Sequence, residues 1–222
     1  MLYKVCYFFL LFLIYSILGW IMEMINGYIR EKKIVNRGFL IGPCCPIYGI
    51  GVLLIIFLLK NYTGNFLVLF ILSMVICMVL EYLTSCLMEL LFKARWWNYS
   101  NRKYNINGRV CLETTIPFGL AGLLIMYVLN PIFTSWLDKI PKKILIIVSI
   151  VLMIILLCDY VLSILVILKI RNVKLRRFRD NTEEINKRTR EYLLKHSRWT
   201  KRLVDSFPNL RVKKEKFKKK NK

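Results

Sequence analysis

Glu23, Glu81, Glu89, Glu113 and Asp159 lie within or at the ends of long apolar runs. A charge at the centre of a bilayer costs at least ~2.5–3.5 kcal/mol on insertion scales, so each needs a partner, a cavity or a proton. Glu81, Ser85 and Glu89 recur at every fourth residue and therefore share one face of a helix. That face is polar in an otherwise apolar run, and it must look into a bundle. Glu81 and Asp159 are the deep ones, each about 10 residues, or roughly 15 Å, from the end of its run. Depth makes an idle charge costly there, and favours a functional role. Glu23, Glu89 and Glu113 sit nearer the interface, where pinning a helix end by an ion pair is an equal reading. Arg37, Arg95 and Arg109 supply possible counter-charges. The arrangement expected is a polar cavity at one end of a bundle, lined by carboxylates and closed by loop arginines and tryptophans.

The elements that must position these residues are membrane helices. The chain has 222 residues, is 57% hydrophobic and carries a formal charge of +22. One soluble core cannot hide several long uncharged runs, so length and composition together point to a bilayer. A spanning helix needs roughly 20 mainly apolar residues. Segments at about 5–28, 43–60, 66–92, 111–131 and 143–168 qualify. The fold class expected is therefore an all-α membrane bundle of about five transmembrane helices. The second is the shortest and opens on Gly42, Pro43, Pro46, Gly49 and Gly51, so its start reads as irregular or re-entrant. The first is too long for a signal h-region and lacks a small-residue cleavage pattern.

Lys and Arg counts in the short loops set the expected orientation. The 29–42 loop holds Arg30, Lys32, Lys33 and Arg37; the 93–110 loop holds Lys93, Arg95, Arg102, Lys103 and Arg109. The other side has Lys4, Lys60, Lys139, Lys142 and Lys143. The N-terminus is expected outside, and both basic loops and the C-terminus inside. The chain divides into a transmembrane domain, 1–170, and a basic tail, 171–222. Asn181 and Glu184 resemble a capping box that would open an amphipathic helix at about 181–205, ahead of a disordered lysine-rich end. Tethered at the membrane, the tail is expected to meet anionic lipid at about 1 kcal/mol per basic residue, in preference to nucleic acid.

Two inner-loop motifs stand out. In the first, Asn36, Arg37, Gly38, Gly42, Pro43, Pro46, Tyr48 and Gly49 make a rigid turn into the second helix. Its amide groups would suit an anion; a plain tight turn has equal weight. In the second, Arg95, Trp96, Trp97, Asn98, Tyr99 and Ser100 precede Asn105-Ile106-Asn107-Gly108-Arg109. Tryptophans beside arginines suit the membrane–water interface, and equally a lipid head group or substrate. The chain has no GxxxxGK[ST], hence no P-loop ATPase. The cysteines lie in or beside apolar runs with no CxxC, so neither a metal nor a cofactor is expected.

These motifs carry a resemblance. Gly19-Trp20 with Glu23, then Asn36 to Gly49, Glu81-Tyr82, Glu89, Arg95-Trp96-Trp97-Asn98-Tyr99-Ser100, and Asn105 to Leu112 together resemble the bacterial family of putative ABC-transporter permeases of type IV (CmpB-like). The likeness spans roughly residues 10–135 and implies a multi-pass plasma-membrane protein of transport-related function. It implies no established substrate or catalytic residue. The family usually has Asp at the place of Asn98, as WWDYS; the neutral Asn here weakens any ion-pair or proton role at that position. The leading expectation is a permease component that works with a separate ATPase subunit, as a homo-oligomer because five short helices are few. The alternatives are a membrane enzyme acting on a lipid-linked substrate at the cytoplasmic leaflet, and a non-catalytic scaffold.

Overall fold

The computed structural model describes residues 1–32, 38–92, 94–95, 97–177 and 211–212. Asn36, Arg37, Trp96 and the expected helix at 181–205 lie outside the described residues, and of Arg95 only the backbone is described.

Apolar runs become helices because the bilayer offers backbone amides no other partner. α1 spans Leu2–Glu31, α2 Pro46–Leu59, α3 Phe66–Phe92, α4 Leu112–Leu124, α5 Asn130–Asp138 and α6 Lys142–Arg177. A π-helical turn, Ile125–Leu129, joins α4 to α5 into one apolar span, Leu112–Asp138. Pro131 explains that turn. Its ring would clash with the carbonyl of Tyr127 in a regular helix, and widening the preceding turn relieves the clash.

Four helical spans are long and apolar enough to cross a membrane: Leu2–Ile29, Phe66–Phe92, Leu112–Asp138 and Lys142–Val166. The fifth expected helix is α2, which with its 3-10 extension, Lys60–Tyr62, is a shorter apolar helix. The reason is local. Residues 38–45 do not form a helix, and α2 starts only at Pro46, whose fixed φ and missing N–H suit a first helical position. α6 also runs on to Arg177, past the boundary expected at 170.

The core has two parts. Cys6, Leu10, Leu11 and Tyr15 of α1 pack with Val52, Ile125, Leu137 and Leu145, and Ile55 and Leu59 of α2 pack with Leu69 and Leu123. Small residues allow the close crossings. Gly49 lies against Ser16 and the carbonyl of Phe12, and Gly122 lies against Ser73. Where Gly19 has no side chain, the ring of Tyr48 fills the space. Without a solvent-driven force between helices, such contacts hold a membrane bundle together.

One end of the bundle carries the turn at 63–65, where Tyr127 donates to the carbonyl of Thr63, and the start of α6, where Lys142 lies over the Tyr3 ring. The opposite end carries both motif-bearing loops, 38–45 and 97–111. A short antiparallel pairing also joins Ala94–Arg95 (β1) to Arg211–Val212 (β4) there.

Candidate functional site

The 97–111 loop is a built element. Asn105–Ile106 (β2) pairs with Val110–Cys111 (β3) around a turn closed by the Arg109 amide donating to the Ile106 carbonyl. Asn107 and Gly108, at the turn's centre, both have positive φ, 53° and 65°. Asn-Gly is the pair that tolerates this backbone at least cost. Gly108 is needed twice over, since a Cβ there would strike Ser100 and come within 2.6 Å of Asn98 Oδ1. Asn98 folds the preceding segment, its Oδ1 accepting from the Ser100 amide at 3.1 Å and the Ser100 hydroxyl at 2.6 Å. That is an acceptor's task, which Asp or Asn performs equally. Trp97 is pinned too, its indole N–H donating to the Arg109 carbonyl at 2.9 Å.

The folded loop docks on one face of α3. Ser73, Cys77, Glu81, Ser85 and Glu89 follow each other at four-residue spacing, and Ser73, Glu81 and Ser85 are buried. Arg109 reaches this face with two groups, donating to Ser85 Oγ at 3.0 Å and to Glu89 Oε2 at 2.6 Å. Its guanidinium also lies over the Tyr82 ring, and Asn107 donates to the Tyr82 hydroxyl at 3.0 Å. Deeper in, Tyr99 donates its hydroxyl to Glu81 Oε1 at 3.1 Å. The other carboxylate oxygen, Oε2, is buried without a hydrogen-bond partner.

A second carboxylate belongs to the same neighbourhood. Glu23, near the end of α1, accepts from the Tyr48 hydroxyl at 2.5 Å. Tyr99 lies outside the spans and reports both acids. Burial raises its phenol well above the ordinary tyrosine value, and its place beside the Glu81 carboxyl and, more weakly, Glu23 raises it further. Tyr99 is therefore a permanent hydroxyl donor. The two carboxylates and two phenols form one cluster.

Asp159 has other partners. Its Oδ1 and Oδ2 accept from the amides of Ile41 and Gly42 at 3.0 and 2.9 Å, and Ser163 supports it. No hydrogen bond joins Asp159 to Glu81. The loop amides expected to suit an anion hold Asp159 itself, a resident anion from α6. Asp159→Ala leaves the Gly42 amide without this acceptor, a loss expected to cost about 1–3 kcal/mol. Thermal unfolding in detergent checks it, and Asp159→Asn should recover part of the loss.

The remaining sequence-derived candidates divide by surroundings. Glu113 pairs with Arg102 at 3.0 Å, with both side chains at least half exposed, and exposed pairs of this kind contribute little. Gly38 is buried, Pro43 is exposed, and Pro46 opens α2. Tyr48 was expected only as part of a turn; its bond to Glu23 makes it a member of the cluster. Tyr82, Arg102 and Ser163 were not singled out. Their polar atoms gain meaning only from partners distant in sequence.

The comparisons with known proteins add one finding. No curated protein and no solved structure matches the chain. A family model described as Putative ABC-transporter type IV matches residues 10–164, a stretch that takes in most of α1, all of α2 to α5, most of α6, both loops and all four members of the cluster. A multi-pass membrane bundle with this loop and cluster inside the matched region belongs to the Putative ABC-transporter type IV family.

Proposed function

We propose that this chain is the membrane component of an ABC-type transport system, powered by a separate ATPase subunit that docks at the end bearing the two loops. One observation carries the reading. The 97–111 hairpin is rigid within itself, tied to α3 by Arg109 and Tyr99, and presents apolar residues outward: Tyr104 is 80% and Ile106 50% exposed. Such a loop can pass a push from a soluble partner to a buried carboxylate. On the positive-inside reading this end faces the cytoplasm of a bacterial plasma membrane, where ATP is found. A homo-oligomer would supply the second half of the translocation path, and the basic tail would rest on anionic lipid.

The enzyme alternative is the weaker one. It needs Arg37, Arg95 or Arg109 to hold a lipid phosphate, and the one of the three whose side chain is described, Arg109, is engaged by Glu89 and Ser85.

Chain purified from its own cells in mild detergent is expected to bring with it a subunit that contains a P-loop and hydrolyses ATP. Tyr104→Ser combined with Ile106→Ser should lose that subunit, with the membrane bundle remaining monodisperse. Recovery of the chain with no nucleotide-hydrolysing partner, across several mild detergents, would sink the proposal.

A further inference from the structure

We propose that Glu81 is a proton-binding site, and that docking of the 97–111 loop controls whether its proton exchanges with water. This goes beyond the transport reading and does not depend on an ATPase partner.

The case starts from an unmet demand. An ionised carboxylate offers about four lone-pair sites. Glu81 is 8% exposed and its Oε1 has one donor, Tyr99, while Oε2 has no hydrogen-bond partner and almost no accessible surface. Its depth along α3 is about 16 Å from the helix end. Among the described residues no Lys or Arg forms an ion pair with Glu81 or Glu23, and no three His, Cys, Asp or Glu converge as a metal-binding group.

The groups around the acid sharpen the point. α1 contributes Glu23, α2 contributes Tyr48, the loop contributes Tyr99 and Cys111, and α3 itself contributes Cys77 and Ser85. Every titratable member of that set is neutral or negative. Among the described residues, the guanidinium that reaches this face of α3, that of Arg109, is held lower on the helix and is paired with Glu89. Two carboxylates sharing an apolar site cannot both stay ionised at tolerable cost. Glu23 is half-buried, lies nearer its helix end and has a short bond from Tyr48. Glu81 is the deeper of the two and has the buried oxygen without a partner, so the proton is assigned to it.

The loop supplies the control. Tyr99 covers Glu81, and Arg109 anchors the same loop one and two helical turns below, at Ser85 and Glu89. Undocking would remove both contacts and admit water from that end. The O–H bond of Glu81 then breaks, its electron pair stays on the carboxylate, and the proton passes to water as hydronium. Redocking reverses the step.

The test is infrared spectroscopy of the purified full chain in lipid nanodiscs at neutral pH. A protonated-carboxyl carbonyl band is expected, present in wild type and in Glu23→Gln and absent in Glu81→Gln. Gln copies the shape of the neutral acid, so Glu81→Gln should also keep the wild-type thermal midpoint. Absence of the band, or its survival in Glu81→Gln, overturns the site. Loop control is read from the rate at which the band shifts in deuterated water. Arg109→Gln should speed that shift by about tenfold or more, and the milder Asn107→Ala, at an exposed position, covers the case in which Arg109→Gln does not fold. Wild-type rates in every folded loop variant would overturn the control.

Discussion

Arg109→Ala is expected to cost the folded state about 3–5 kcal/mol, because it leaves Glu89 as a poorly solvated charge without its principal partner. The side chains of Arg109 and Glu89 are each only 14% exposed and meet at 2.6 Å. The same change frees Ser85 Oγ and the cation face of Tyr82, and it releases the hairpin from α3. Unfolding of the purified protein by heat in mild detergent measures the loss. A partnered replacement, Arg109→Leu with Glu89→Leu, is expected to recover much of it, since removing both charges also removes the desolvation penalty. An Arg109→Ala protein as stable as wild type would mean that the loop does not rest on this pair.

Gly49→Ala should have the next largest effect, at the upper end of the overpacking range, about 3 kcal/mol. The added methyl would press on Ser16 and, more decisively, on the backbone carbonyl of Phe12, which cannot rotate away. α1 and α2 would have to separate, and the Glu23–Tyr48 bond spans that same crossing. Gly64→Ala is the control, because nothing lies within 4 Å of its added Cβ. Measured together, the two variants separate a packing effect from the general change in backbone freedom. Equal stability of both would show that the crossing is loose.

How far the sequence reaches can be judged from particular residues. The long spans were legible because their apolar runs exceed what any soluble helix needs. The polar face of α3 was legible as well, since four-residue spacing translates directly into one side of a helix. The partners of Asp159, the Ile41 and Gly42 amides, are not legible in the sequence. Depth along a helix says how far a residue lies from the interface and nothing about the direction it faces, and the amides it meets are 117 and 118 residues away in sequence. The phenols of Tyr48 and Tyr99 escaped notice for a related reason. Each sits in a motif that had been noticed, but tyrosine at a membrane boundary has an ordinary explanation, and only the fold turns the two hydroxyls toward acids. Asn98 resolves a question raised by the family resemblance. Its carbonyl oxygen folds the loop, and that task does not require the charge of the family's usual Asp.

α2 has a consequence for the lipid around it. A 14-residue helix is about 21 Å long, against roughly 30 Å of hydrocarbon in an ordinary bilayer. Its neighbours have full-length spans of 25–28 residues. Ile50, Phe57 and Leu58 are exposed along it, so acyl chains touch this flank directly. A bilayer that follows α2 would pinch inward on one side of the protein, and short-chain lipids would fit that dimple with less deformation than long ones.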